Sequence, residues 1–343
     1  MIRVMVVEDS PTARALMVEI LESDPEIDVV GQAPNGAEAI EMTQRLKPDL
    51  ITMDIHMPVM DGFTATKHIM AQAPTPIIIV SSSMSGPDVE HSLNAIQAGA
   101  LMLLPKPDNP ASARFDYRRN ELVSMAKAMA SVKVVRRWST ASTPVPTRQR
   151  PHAGAVRIVA IAASTGGPAA LHRVLSRLPR GFRAPIVVVQ HITAGFIGGL
   201  ADWLRSSCPL EVTVAEHGEE LRPGHVYLAP DMRHLGVTST GRVAISDEAP
   251  MNGFRPSGDY LFQSVAAAYG SAVAGVVLTG MGSDGVDGLR AVKAAGGHVL
   301  AQDEASSIVY GMPKEAVAAG VVDSVLSLDD MGPRLVQLLG KDQ

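Results

Sequence analysis

The chain carries a single cysteine, Cys208, among its 343 residues. An intrachain disulfide framework and a multi-cysteine metal site are therefore excluded, and Cys208 reads as a small packed side chain. Long apolar runs are also missing. The longest, such as PIIIV and SAVAGVVLTGM, fall short of the ~18 residues a membrane-spanning helix requires, so no direct membrane insertion is expected. The N-terminus passes straight into a strand-like segment without the basic and apolar regions of a signal peptide, which points to a cytoplasmic protein. Positive charge is in deficit. With 30 Lys and Arg against 35 Asp and Glu, the formal net charge is −5, and no general attraction for nucleic acid is expected.

With 46% hydrophobic and 19% charged residues, the chain can fill two or three separate cores. One boundary is visible in composition. Residues 133–154, KVVRRWSTASTPVPTRQRPHAG, mix Pro, Ser, Thr and Arg without helical or strand periodicity, as a solvated tether does. Just upstream, NELVSMAKAMASV places Leu122, Met125, Ala126, Met129 and Val132 on one helical face, a helix that would close the first domain. The expected organisation is a domain over 1–132, a basic linker over 133–154 and a second domain over 155–343. Lys133, Arg136, Arg137, Arg148 and Arg150 are unopposed by acids in the linker. No DNA-reading motif follows them, so a tether is preferred to a nucleic-acid arm.

In the first domain, apolar runs (IRVMVV, DVVGQA, LITM, PIIIVSS, ALMLL) alternate with amphipathic segments such as SPTARALMVEILES and GAEAIEMTQRLK. This alternation predicts an α/β domain, a flavodoxin-like parallel sheet with helices on both faces. Chemistry in such sheets gathers at the carboxyl ends of the strands, and Glu8, Asp9 and Asp54 all fall there. Three converging carboxylates repel one another unless a hard cation sits among them, and oxygen ligands suit Mg2+. A cation beside Asp54 can neutralise an incoming phosphoryl group. Lys106 can bond its oxygens as a point charge, and Ser81 or Ser82 offers a hydroxyl at the same rim.

The segments EDS, MDIHMPVMDG, IIIVSS and PKP, in that order, closely resemble the response-regulator receiver family. The resemblance implies that Asp54 accepts a phosphoryl group, that Glu8, Asp9 and Asp54 hold Mg2+, that Ser81 is the switch hydroxyl and that Lys106 is the phosphate partner. Two positions depart from the family pattern. Glu8 replaces one acid of the usual Asp-Asp pair, and Leu103 stands where an aromatic switch residue is usual.

In the second domain, VRIVAIAAS runs into TGGPAALHRVLSRLP, which predicts a buried strand, a tight turn and a helix with Pro168 in its first turn. Ser164 lies at the turn. Its small neighbours Ala162, Ala163, Gly166 and Gly167 let the backbone bend sharply and expose the hydroxyl, as a nucleophile elbow does. Helix N-terminal amides there could stabilise an oxyanion, or could equally hold a phosphate. The lysine of a phosphate-binding loop is absent. His191 directly follows the run PIVVVQ, and Asp284 follows AVAGVVLTGMGS, so both should end strands on the same rim as Ser164. A serine hydroxyl needs a base, and an imidazole needs an acceptor to fix its tautomer. Asp287, three residues on, is the rival to Asp284.

AASTGGP, VVVQH, VYLAP…RHL, FRPSGDYLFQS, LTGMGSDG and AQDEASSIVYGMP resemble, in order, the chemotaxis protein-glutamate methylesterase family. The resemblance implies a doubly wound α/β esterase domain with Ser164, His191 and Asp284 as its triad and with backbone groups near Thr165 and Met281 at the oxyanion site. No cofactor is expected in that domain. It departs from the pattern at Ala162, where glycine is usual, at Gly258, usually bulkier, and in ITAGFIGGLADWL after His191. The expected activity is hydrolysis of glutamyl methyl esters on the cytoplasmic helices of chemoreceptors, with glutaminase activity through the same acyl-enzyme. A chemotaxis histidine kinase is the expected phosphodonor, and phosphorylation of Asp54 is expected to open access to Ser164. The competing readings are a non-enzymatic, phosphorylation-dependent receptor adaptor and, less favoured by charge and motif, a transcriptional output.

Overall fold

The computed structural model of the chain describes residues 1–82, 87–107, 109–132, 134 and 155–340, with side chains left aside at 87–92. Of the predicted linker only Val134 falls among the described residues. The chain divides into two compact units, Met1–Ser139 and Thr140–Gln343. No helix among the described residues is long and apolar enough to cross a membrane.

In the first unit β1 (Ile2–Val7), α1 (Pro11–Glu22), β2 (Ile27–Ala33), α2 (Gly36–Leu46), β3 (Leu50–Met53), α3 (Gly62–Gln72), β4 (Ile77–Ser81), α4 (Pro87–Ala98), β5 (Met102–Pro105) and α5 (Phe115–Ala130) alternate along the chain. The strands pair in parallel in the order β2-β1-β3-β4-β5. The order reverses between β1 and β3, so the loops leaving those two strands border one crevice. Ser10 starts α1 by accepting a hydrogen bond from the Ala13 amide, with Pro11 in the first turn, and this cap leaves Glu8 and Asp9 in the loop at the strand end. Helix α5 buries Leu122, Ala126 and Met129. Val132 of the predicted face lies beyond its C-cap, Ser131.

The second unit contains β6 (Ile158–Ala163), α6 (Gly167–Leu175), β7 (Ile186–Gln190), α7 (Ile197–Ser207), β8 (Glu211–Val214), β9 (His225–Leu228), β10 (His234–Val237), β11 (Val243–Ser246), α8 (Gly258–Tyr269), β12 (Val273–Val277), α9 (Val286–Ala294), β13 (His298–Gln302), α10 (Met312–Ala318), β14 (Ser324–Leu326) and α11 (Leu328–Leu338). Seven strands form a parallel sheet in the order β14-β13-β12-β6-β7-β9-β8, while β10 and β11 make a separate antiparallel ribbon. The fold is therefore α/β in both units.

Strand β6 lies at the centre of this sheet, and every one of its residues is buried. A strand covered on both faces reads as an unbroken apolar run rather than an alternating one, which is why IVAIAA carries no polar residue. The chain moves from β6 to β7 on one side and returns to β12 on the other, so the carboxyl ends of β7, β6 and β12 share the rim where the order reverses.

Candidate functional site

At the first unit's rim, Lys106 Nζ lies 2.8 Å from Glu8 Oε2 and 2.9 Å from Asp54 Oδ2. Asp54 Oδ1 accepts a hydrogen bond from the Ile55 amide at 2.7 Å. Pairing of β4 with β5 sets Ser81 opposite Pro105, and the Ser81 carbonyl accepts from the Lys106 amide at 2.9 Å. Ser81 is buried, whereas Ser82 is exposed. One oxygen each of Glu8, Asp9 and Asp54 lie within 4.8 Å of one another. Two buried carboxylates thus face one ammonium with the exposed carboxylate of Asp9 beside them, and the donor set fits a divalent cation with oxygen ligands. Burial raises the Glu8 carboxyl above its ordinary range, and the charge of Asp54 adds to that rise against the hydrogen bond from Lys106. For Lys106, burial pulls the other way, but its bonds to Glu8 and Asp54 outweigh it and raise the ammonium.

In the second unit β6 ends at Ala163 and the chain turns at Ser164. The Ser164 amide donates to the Thr279 carbonyl at 3.0 Å, and the Gly167 amide donates to the Ser164 carbonyl at 2.7 Å. Gly166 has φ +76°, a left-handed conformation that a side chain would strain, and Pro168 sits in the first turn of α6. From the other side Gly280 approaches so closely that a Cβ on it would lie 2.6 Å from Ser164 Cβ. Among the described residues the amides of Thr165 and Met281 donate to no backbone carbonyl. Those two amides flank the serine, one following it in the chain and the other following Gly280.

His191 closes β7, and its amide donates to the Ala163 carbonyl at 2.9 Å. Its Nε2 lies 2.9 Å from Asp284 Oδ2. The approach is short but poorly aligned for a hydrogen bond, and both ring nitrogens are buried with no hydrogen-bond partner among the described residues. The contact with Asp284 is through Nε2, which leaves Nδ1 as the other ring nitrogen. The ring stacks on Phe254, with centroids 4.7 Å apart and planes 12° apart.

Asp284 is buried and well supplied with donors. Ser257 Oγ donates to Oδ1 at 2.8 Å, the Gly258 amide to Oδ2 at 2.6 Å and the Asp259 amide to Oδ1 at 3.2 Å. These groups form the N-terminus of α8, with Ser257 as its cap, where a negative charge is favoured by unpaired amides and the helix dipole. Burial alone would raise the carboxyl, but His191, the Gly258 amide and Ser257 outweigh it, so it lies below the ordinary aspartate value. Asp287 points outward and pairs with Arg290 at 3.4 Å. Three residues scattered over more than a hundred positions thus share one rim, in the segments that follow three adjacent strands, β7, β6 and β12.

Residues 159–335 match the model of the family described as CheB methylesterase. The chain belongs to that family. Residues 4–114 match the response regulator receiver domain. A curated relative from Myxococcus xanthus, named protein-glutamate methylesterase/protein-glutamine glutaminase 4, is 54% identical over 97% of this chain and 96% of its own length. Another of that name, numbered 3, from Anaeromyxobacter dehalogenans, is 52% identical over 98% of each. Among solved structures, the CheB methylesterase catalytic domain of Thermotoga maritima is 41% identical and superposes with a TM-score of 0.52, covering 54% of this chain and all of that one.

Ala162 on β6 and Gly258 at the start of α8 face each other. A Cβ on Gly258 would lie 3.0 Å from the Cβ of Ala162 and 3.3 Å from Asp284 Oδ2. The Ala162 methyl thus borders the space that a side chain at 258 would enter. Sequence reasoning missed Ser257, Phe254 and Thr279. Thr279 ties the Ser164 turn to its wall: its Oγ1 donates to the Thr165 carbonyl at 2.9 Å and accepts from the Val309 amide at 2.9 Å. For Ser257 a signal was present, since a serine directly before an apolar-periodic segment is a helix-cap pattern.

Proposed function

We propose that this protein is a phosphorylation-activated hydrolase that removes methyl groups from glutamyl methyl esters of chemoreceptors and deamidates receptor glutamines, giving adaptation in a chemosensory pathway. The observation that carries the reading is the meeting of Ser164, His191 and Asp284 at the ends of β6, β7 and β12, in a chain of this family. Ser164 Oγ attacks the ester carbonyl, and His191 takes the hydroxyl proton through the ring nitrogen turned away from Asp284. The oxyanion is received by the Thr165 and Met281 amides, which have no backbone acceptor among the described residues. Asp284 holds the imidazole and stabilises its charged form. The proton passes to the leaving methanol, and water then releases the glutamate. Loss of ammonia in place of methanol from a glutamine leads to the same acyl-enzyme.

Control belongs to the first unit. Asp54 takes the phosphoryl group, and Glu8, Asp9 and Asp54 would hold Mg2+, whose charge would offset that of the phosphoryl group. Lys106 and Ser81 bond the phosphoryl oxygens, and a chemotaxis histidine kinase is the donor. Methanol release from methylated receptor membranes tests the whole reading. Release should require Ser164, vanishing in Ser164→Ala, and should rise with a small-molecule phosphodonor. Undiminished release in Ser164→Ala would sink the triad, and no release at all would favour a binding adaptor.

A further inference from the structure

Gln190 is a buried carboxamide that the chemistry above does not use. It is the last residue of β7, is 2% exposed, and immediately precedes His191. Its Nε2 donates to the Ser164 carbonyl at 2.8 Å and to the His191 carbonyl at 2.8 Å. Both partners are carbonyl oxygens, which only accept, so the amide nitrogen must face them and Oε1 must face away. Oε1 is buried and has no hydrogen-bond partner among the described residues. A buried acceptor left unpaired is costly, and an apolar side chain of similar shape would avoid that cost.

The surroundings are shaped to admit this amide. A Cβ on Gly167 would overlap the Gln190 carboxamide, so the second glycine of the turn is required by Gln190. The first, Gly166, is required by its own backbone angle. The Ser164 carbonyl therefore receives two donors, the Gly167 amide and Gln190 Nε2. One of them is a side chain from the strand that carries His191.

We propose that Gln190 is a positioning residue: it clamps the backbone of the nucleophile to the backbone of the base, and the unpaired oxygen is tolerated because the two donors hold that register. The inference rests on the esterase reading of Ser164 and His191. A displacement of about 1 Å in such a pair can cost on the order of 100-fold in rate, and the clamp acts on kcat rather than on receptor binding.

Gln190→Met tests this, because methionine fills similar volume and removes both the donor and the orphan oxygen. The full chain is titrated with a fluorophosphonate, which forms a phosphorus–oxygen bond to Ser164 and releases fluoride, and kcat and KM are measured on methylated receptor membranes. We expect one reactive serine per chain to be retained. The labelling rate constant and kcat should each fall tenfold or more, with KM within twofold. Gly167→Ala, which displaces the carboxamide without altering it, should give the same pattern. If Gln190 only fills space, Gln190→Met will keep kcat and labelling rate within twofold of the parent, and the proposal is overturned. It is equally overturned if both variants lose rate only in proportion to lost titratable serines. Activity persisting in Ser164→Ala would overturn the esterase reading instead.

Discussion

Asp284 draws its compensation from two kinds of partner, the imidazole on one side and three fixed donors at a helix start on the other. The fixed donors keep the carboxylate in place whether or not His191 is charged. Replacing it by asparagine keeps the shape but removes the charge opposite the ring, and we expect kcat of Asp284→Asn to fall by about 10⁴, the size of the effect in the Ser-His-Asp template. Methanol release at saturating substrate measures it. If Asp287→Asn showed that loss instead, the assignment would move. Stability should also report on Asp284. Its carboxyl lies lower in the folded chain than an unfolded aspartate's value of about 3.9. Its stabilising contribution is therefore complete above that value and is lost as pH falls through the folded pKa. Urea unfolding should find Asp284→Asn less stable than the parent at pH 7, with the difference shrinking as pH drops below about 3.9.

At the scale of elements, the centre depends on how closely α8 approaches β6. Gly258 and Ala162 set that distance, and a methyl group at 258 would press on both Ala162 and Asp284. We expect Gly258→Ala to cost roughly 1–3 kcal/mol through overpacking. Ala162→Gly in the same chain should recover more than half of it, a coupling that a double-mutant cycle by urea unfolding measures. Strictly additive losses would mean that the two residues do not share one space. Elements of this kind differ in how readable they are. Ser164, His191 and Asp284 each terminate an apolar run, so their shared rim followed from the alternation of strands and helices. The acids at 8, 9 and 54 were readable for the same reason. Strands β8 to β11 have four residues each, too few to establish a period of two, and the β10–β11 ribbon left no usable pattern. Gln190 and Thr279 were hidden for another reason. The contacts that join them to the Ser164 turn span 26 and 114 positions, and no local periodicity encodes a contact made across strands.

For the molecule as a whole, the two units divide the chemistry cleanly. The carboxylate cluster with Lys106 belongs to the first, and the Ser164 rim belongs entirely to the second. The proposed control therefore starts from Asp54, in the first unit. Asp54→Asn should abolish the phosphodonor-dependent increase in methanol release, measured against the same preparation without donor. A persisting increase would place the phosphorylated group elsewhere.

The order of these parts along the chain also sets an order in time. A ribosome completes the first sheet at β5 long before it reaches Asp284, and domains tend to fold as they emerge, the N-terminal one first. The Ser164 rim needs β12 and the segment around Val309 as well as β6 and β7, so it closes only after Val309 has been made. At about 5–20 residues per second, the receiver has on the order of ten seconds or more to form before any ester can be cut. A nascent chain is thus able to take its signal before it is able to act on it, and a truncated product retains the sensor without the hydrolase.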